Sequence, residues 1–263
     1  MKPNKSPIIP TIHVEFDLPL RPRDLRAWRG AVAESAGWET SDHFHNHAPS
    51  EVIPGEEDEG LNKIDNGIIV SRPKRVTLRD RYVYRYPLIQ YRIVDGRASI
   101  FGIGDGVVTL KKWLFALPEK ISVRGREYDL VIHTLRERRQ ELKMSHQMMR
   151  YRLMDYIGLN QENYRRWAQE TVYTERVKLL EKCLTGHLLG FASAWEYRLP
   201  ERLEVSIQLI KRTKHVRAYK TEHLAFNLIY QTNLELPEWI GLGRGIARGY
   251  GVQNYTSSQR GGR

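Results

Sequence analysis

Three histidines alternate with Phe44 and Asn46 in the run His43-Phe44-His45-Asn46-His47. In an extended strand, residues i and i+2 share a face with Cα atoms about 6.5–7 Å apart, so imidazoles at His45 and His47 are spaced to flank one phosphate. An unperturbed imidazole titrates at about pH 6.5 and can give or take a proton near neutrality. RNA transesterification needs a base for the 2′-hydroxyl and an acid for the departing 5′-oxygen; each such role contributes roughly 10²–10⁴-fold, and neither requires a metal. His45 and His47 are therefore the candidate catalytic pair, with His43 as a third candidate. Two other readings stand beside this one. Imidazoles are common metal ligands, and three alternating histidines can also line a polar strand face. The letters H-N-H do not make a ββα-metal nuclease, whose residues are spread over a larger unit.

A second cluster lies near the C-terminus, in Ile240-Gly-Leu-Gly-Arg-Gly-Ile-Ala-Arg-Gly-Tyr-Gly251. Gly241, Gly243, Gly249 and Gly251 form G-x-G-x5-G-x-G, with Arg244 and Arg248 between the pairs. Such glycines permit positive φ and close packing, and successive exposed N–H groups can cradle an anion. From Gly241 to the end there are four arginines and no acid. A phosphate polymer is the expected partner; the alternative is a glycine-rich turn near a flexible end. A dinucleotide loop is excluded because Ile246 stands at the third glycine position, and a P-loop because Gly-Lys-Ser/Thr does not occur. Lys211, Arg212, Lys214, Arg217 and Lys220 add five cations without an acid in the run 211–220, expected at a hairpin tip or sheet edge. This run is read as phosphate contact or as a solvated basic loop. Arg72, Lys74, Arg75, Arg79, Arg81 and Arg85 form a further basic run, beside Tyr82, Tyr84 and Tyr86, which could stack on bases or pack in the core.

The formal charge of +11, from 42 Lys+Arg against 31 Asp+Glu in 263 residues, suits a nucleic-acid binder. Cys183 is the sole cysteine, which excludes an intrachain disulfide framework or a cysteine zinc site. It is expected to be buried and inert. With no run of 18 apolar residues and no signal-peptide core, a soluble cytoplasmic protein with no membrane partner is expected.

The elements that must position these groups alternate in type. Residues 11–17 read as a strand, 24–35 as a helix and 43–47 as a short extended piece. The acidic stretch 49–66 reads as an exposed loop. Residues 81–94 read as a strand closed by the Asp95-Gly96 turn, 98–103 as its return, 106–117 as a helix and 120–134 as one or two strands. This β-α-β-β-α-β order is a ferredoxin-like unit. The second half repeats it: 142–155 extended, one long helix over 161–194 with Val177, Leu180, Leu184, Leu188 and Phe191 in a stripe, then strands at 201–210 and 223–231. The fold class is α+β, two tandem ferredoxin-like domains spanning 1–138 and 139–263, with a linker near 136–143.

Several segments together resemble one family. Phe44-His-Asn-His47, Tyr84-Arg-Tyr-Pro-Leu-Ile-Gln-Tyr91, Asp95-Gly96 with Ile103-Gly-Asp-Gly106, Leu159-Asn-Gln-Glu-Asn-Tyr164, Leu179-Leu-Glu-Lys-Cys-Leu184 and Leu236–Gly251 are similar to the CRISPR-associated precursor-crRNA endoribonucleases. These are the b-type of the Cas-six group in the RAMP superfamily. The resemblance implies RNA bound in or beside the cleft between the domains, and metal-independent, cofactor-free cleavage on the 3′ side of the repeat hairpin. It implies 5′-hydroxyl and 2′,3′-cyclic or 3′-phosphate ends, and a catalytic histidine pair that falls on His45 and His47. The glycine loop is implied to pack between the domains and shape the RNA surface rather than transfer protons. The implied partner is CRISPR repeat RNA, as stem-loop or unstructured; other effector subunits and a second copy of the chain are further candidates. The connection over 48–80, acidic and then basic, is longer than the family pattern. Two other classes remain: a non-catalytic RAMP-type RNA-binding subunit, and a histidine-metal hydrolase.

Overall fold

The computed structural model describes residues 5–37, 42–45, 86–218 and 221–256. The N-terminal half runs β1 (Ile8–Pro19), α1 (Leu25–Ser35), α2 (Asp42–His45), β2 (Ile89–Val94), β3 (Arg97–Ile103), α3 (Asp105–Phe115), the hairpin β4 (Lys120–Val123) and β5 (Arg126–Asp129), and β6 (Ile132–Glu141). Its sheet has the order β2-β3-β1-β6, every neighbour antiparallel. Alternation along β1 sends Ile12, Val14 and Phe16 to one face, where they bury with Trp28 and Val32 of α1 and Leu110 of α3. The β2–β3 turn falls on Asp95 and Gly96, both at positive φ (48° and 79°), as a tight hairpin requires.

The C-terminal half runs β7 (Lys143–Tyr156), α4 (Gln161–Gln169), α5 (Tyr173–Ala194), β8 (Val205–Ala218), β9 (Thr221–Glu235) and β10 (Val252–Tyr255). Its sheet order, β10-β7-β9-β8, is the same ferredoxin-like arrangement. Leu180, Leu184, Leu188 and Phe191 of α5 pack on Tyr151, Leu153, Leu228 and Tyr230. Among the described residues no helix is long and apolar enough to cross a membrane.

Four expectations change. Of the strand expected over 81–94, Ile89–Val94 is strand and 86–88 are not, while 81–85, and so Tyr82 and Tyr84, lie outside the described residues. The single helix over 161–194 is two: the Asn160 side chain caps α4, and extended Glu170 and Val172 break the run before α5. The linker expected near 136–143 is strand, for β6 pairs with β1 up to Ile8↔Glu141 and β7 pairs with β9 from Lys143↔Glu235. Only buried Leu142 separates the two sheets. Finally, the second half does not repeat the first in full: the glycine-rich segment, with one 3₁₀ turn at Ile246–Arg248, stands where the second helix of the unit would be.

Candidate RNA-processing site

A cleft of about 1280 Å³ opens between α3 of the first domain and α5 of the second, with the glycine loop along its floor. His43 lies on its wall. Phe44, the next residue, is buried and edge-on to Trp113 at 6.2 Å between centroids, while its carbonyl accepts from the Tyr91 hydroxyl at 3.3 Å. These contacts seat α2 against α3, so that His43 Nδ1 lies 2.8 Å from Thr109 Oγ1. The extended geometry expected for 43–47 therefore fails over the part described. Asp42–His45 is a helical turn rather than extended chain. The His45 imidazole and all of His47 lie outside the described residues, as do the basic run 72–85 and the stretch 48–80. Among the described residues no three His, Cys, Asp or Glu side chains gather closely enough to hold a metal ion.

The glycine loop is a joint between the domains. The Tyr86 hydroxyl accepts from Gly241 N and donates to Gly241 O, both at 3.0 Å, and Gln90 Nε2 donates to the same hydroxyl. The buried Arg92 guanidinium donates to Gln90 Oε1 and to the Trp239 carbonyl, and lies 4.5 Å from the centroid of the Phe101 ring. Burial lowers its pKa to about 9, which still leaves it protonated at pH 7. Arg138 bonds to Glu238, and Trp239 stacks on His13 at 4.7 Å. The open anion cradle expected from the sequence is therefore largely closed. Gly241 N is held by Tyr86, Gly249 N by the Ile246 carbonyl and Gly251 N by the Asp155 carbonyl. The glycines serve close packing instead: a Cβ on Gly249 would come within 2.9 Å of the Tyr91 carbonyl, and one on Gly251 within 1.8 Å of the Leu242 carbonyl. Arg244 stays exposed, its N–H bonded to the Ile157 carbonyl.

The basic run 211–220 lies along β8, the edge strand of its sheet, up to Ala218, with 219–220 outside the described residues. The β8–β9 pairing continues to Ala218↔Thr221, past the last β7–β9 pair, Tyr156↔Phe226, so the far end is a two-stranded ribbon. Lys211, Arg212 and Arg217 are exposed on it, whereas Lys214 is ion-paired to Asp155 at 2.7 Å. Sequence reasoning missed exposed Arg152 on β7, although its alternation with buried Tyr151 and Leu153 was legible. Cys183 is half-buried rather than buried, its Sγ accepting from Asn163 Nδ2 at 3.3 Å, and burial raises its pKa.

Sequence reasoning also passed over His187 and His13. His187, on the α5 wall of the cleft, has Nδ1 2.7 Å from the Tyr156 hydroxyl. Burial, then the Arg244 charge, lowers its pKa from 6.5 to about 4. His13, bonded to Ser99 Oγ at 2.6 Å, is lowered to about 3 by burial, then by Arg92 and Arg136. Below pH 6.5 the unfolded chain takes up protons at these two positions that the folded chain refuses. Stability is thus full above about pH 6.5 and falls as pH drops toward 4, by about 1.4 kcal/mol per pH unit for each histidine. Urea midpoints at pH 7.5, 6 and 5 should fall accordingly, and His13→Gln should flatten the decline. Equal slopes in both proteins would show that His13 titrates normally.

Residues 77–141 match the family described as the Cas6b N-terminal domain, and residues 143–255 the Cas6b C-terminal domain. Over 134 residues, half of this chain and 89% of the relative, the sequence is 25% identical to the uncharacterized protein MJ0978 of Methanocaldococcus jannaschii. A crystal structure of Cas6b superimposes over 95% of this chain and all of its own, with TM-score 0.74 at 20% identity. A second, described as the CRISPR RNA processing endoribonuclease Cas6b, covers the same shares with TM-score 0.65 at 18% identity. Csf5, a type IV Cas6 crRNA endonuclease, again covers 95% of this chain and all of its own, with TM-score 0.53 at 13% identity. The two family matches meet at Leu142, where one sheet hands over to the other, and the chain belongs to the Cas6b family.

Proposed function

We propose that the protein is an endoribonuclease that cuts CRISPR precursor RNA within the repeat. The observation that carries this reading is His43, the first of the histidine run, on the wall of the interdomain cleft that the glycine loop also lines, in a chain of the Cas6b family. Two solved relatives are described as CRISPR RNA processing enzymes, which supports the substrate class. His45 and His47 share the proton transfers. One deprotonates the 2′-hydroxyl, which attacks the adjacent phosphate; the other protonates the departing 5′-oxygen. The P–O5′ bond breaks as the P–O2′ bond forms, leaving a 5′-hydroxyl and a 2′,3′-cyclic phosphate. No metal takes part. Arg244, Arg248, Lys211, Arg212 and Arg217 hold RNA phosphates, and Lys214 does so only by giving up Asp155.

The test uses the CRISPR repeat encoded beside the gene. The protein should cut it once, at an unchanged rate in EDTA, and should not cut RNA with a 2′-deoxy sugar immediately upstream of the cut. An intact repeat after incubation with the wild-type protein, or cleavage of the deoxy substrate, overturns the reading. The uncut deoxy RNA also reports binding: Arg244→Ala with Arg248→Ala should weaken it and lower the slope of log K against log salt by roughly one to two. A second reading, an RNA-holding subunit that does not cut, draws on the helical turn at Asp42–His45, where an extended histidine run was expected. It predicts repeat binding without product at any pH from neutral to alkaline.

A further inference from the structure

His187 lies on the opposite wall of the cleft from His43 and is absent from the mechanism above. Its surroundings point to an anion. The Tyr156 hydroxyl is buried, burial raises its pKa well above 10 and so keeps it un-ionised, and it lies 2.7 Å from His187 Nδ1. With Nδ1 engaged by Tyr156, Nε2 is the ring nitrogen left for a ligand, and it donates in the tautomer in which Tyr156 is the donor. Tyr156 also supports the glycine loop: a Cβ on Gly243 would lie 2.7 Å from its ring and 2.8 Å from the Ile157 carbonyl, to which Arg244 N is bonded. One strand end thus holds the imidazole, the bare Gly243 backbone and the base of the Arg244 side chain together. Among the described residues, none from the second domain that lines the cleft is acidic, whereas on the first-domain wall Lys111 is paired with Glu137 and Arg138 with Glu238.

The helix beside His187 carries a second, independent sign. Gly186 and Gly190 sit inside α5, where glycine is unfavourable relative to alanine. A Cβ on either would meet nothing within 4 Å. Packing does not demand them, and both line the cleft, leaving a flat strip of helix on each side of His187.

We propose that His187 Nε2, the Gly243 backbone and the Arg244 guanidinium form a phosphate-binding site on the second-domain wall of the cleft, occupied by one internucleotide phosphate of RNA lying along the Gly186–Gly190 strip. The site rests on the RNA-processing reading and adds a contact that holds the strand across the cleft from the histidine turn. His187 is a binding residue here and moves no proton.

The experiment is a methylphosphonate scan of the 2′-deoxy repeat RNA, which neutralises one linkage at a time. The wild-type protein should lose affinity strongly at one linkage near the cut. His187→Ala should bind unmodified RNA about tenfold more weakly and no longer sense that linkage, as expected for one hydrogen bond to a charged group. Gly190→Leu should keep or raise the melting temperature and still lose affinity, which a purely structural role for the strip does not allow. A scan of His187→Ala that matches wild type at every linkage, or full affinity in Gly190→Leu, overturns the site while leaving the nuclease reading intact. A flat scan together with a shift of the His187 ring resonances on adding inorganic phosphate would reassign the site to a free anion and overturn the RNA contact. Wild-type protein that neither binds nor cuts the repeat overturns the parent reading and this one together.

Discussion

The double replacement His45→Ala and His47→Ala should reduce cleavage of repeat RNA by at least about 10⁴-fold, with binding of the 2′-deoxy RNA changed by less than about threefold. The magnitude follows from two proton transfers of roughly 10²–10⁴-fold each, which act on one transition state and so do not simply multiply. Each single variant should lose most of the same activity, because cleavage stalls when either the base or the acid is missing. The rate of the wild-type protein should follow a bell in pH, since one histidine must be neutral and the other protonated. His43→Ala should be milder. Its Nδ1 is bonded to Thr109. A double variant that still cuts at the wild-type rate would remove His45 and His47 from the mechanism and turn attention to His43.

The second large effect is expected at Gly251, by Gly251→Ala. Its φ is +68°, in the left-handed region, and a Cβ there would lie 1.8 Å from the Leu242 carbonyl. Neither side can give way easily. Gly251 O accepts from Leu242 N at 2.8 Å, and Gly251 N donates to the Asp155 carbonyl at 3.1 Å. The left-handed conformation and the backbone collision together should destabilise the protein by about 3–5 kcal/mol. Because Leu242 and Gly241 belong to the stretch that Tyr86 grips, the loss should reach the joint between the domains, and RNA affinity should fall with it. Urea unfolding, read by tryptophan fluorescence, measures the first effect. Gly186→Ala is the matched control: a Cβ there meets nothing within 4 Å, so its midpoint should stay or rise. A wild-type midpoint for Gly251→Ala would mean that the loop shifts freely and is not the rigid joint described above.

What the sequence determined by itself were the features that local chemistry and periodicity control. Two-residue alternation along β1 and the Leu180–Leu184–Leu188–Phe191 stripe of α5 each pack the way their period dictates, because burial selects one face of a strand or helix at a time. The element order was enough for two ferredoxin-like units, and the combined motifs pointed to the family whose domain models the chain matches. Short segments were less legible. Three alternating histidines look like a strand, but the positions beside β1 are already taken by β3 and β6, and burial of Phe44 against Trp113 winds Asp42–His45 into a turn. The glycine loop was legible as special and not as to why. Its composition suited an open anion cradle; only the folded chain shows that its N–H groups are already held, by Tyr86 of the first domain and by Ile246 and Asp155 of the second. His187 carried no local signal at all, as one histidine in an apolar helix. Its place opposite His43, with Nδ1 held by Tyr156 and two bare glycines beside it, exists only once residues far apart in the chain are packed around one cleft.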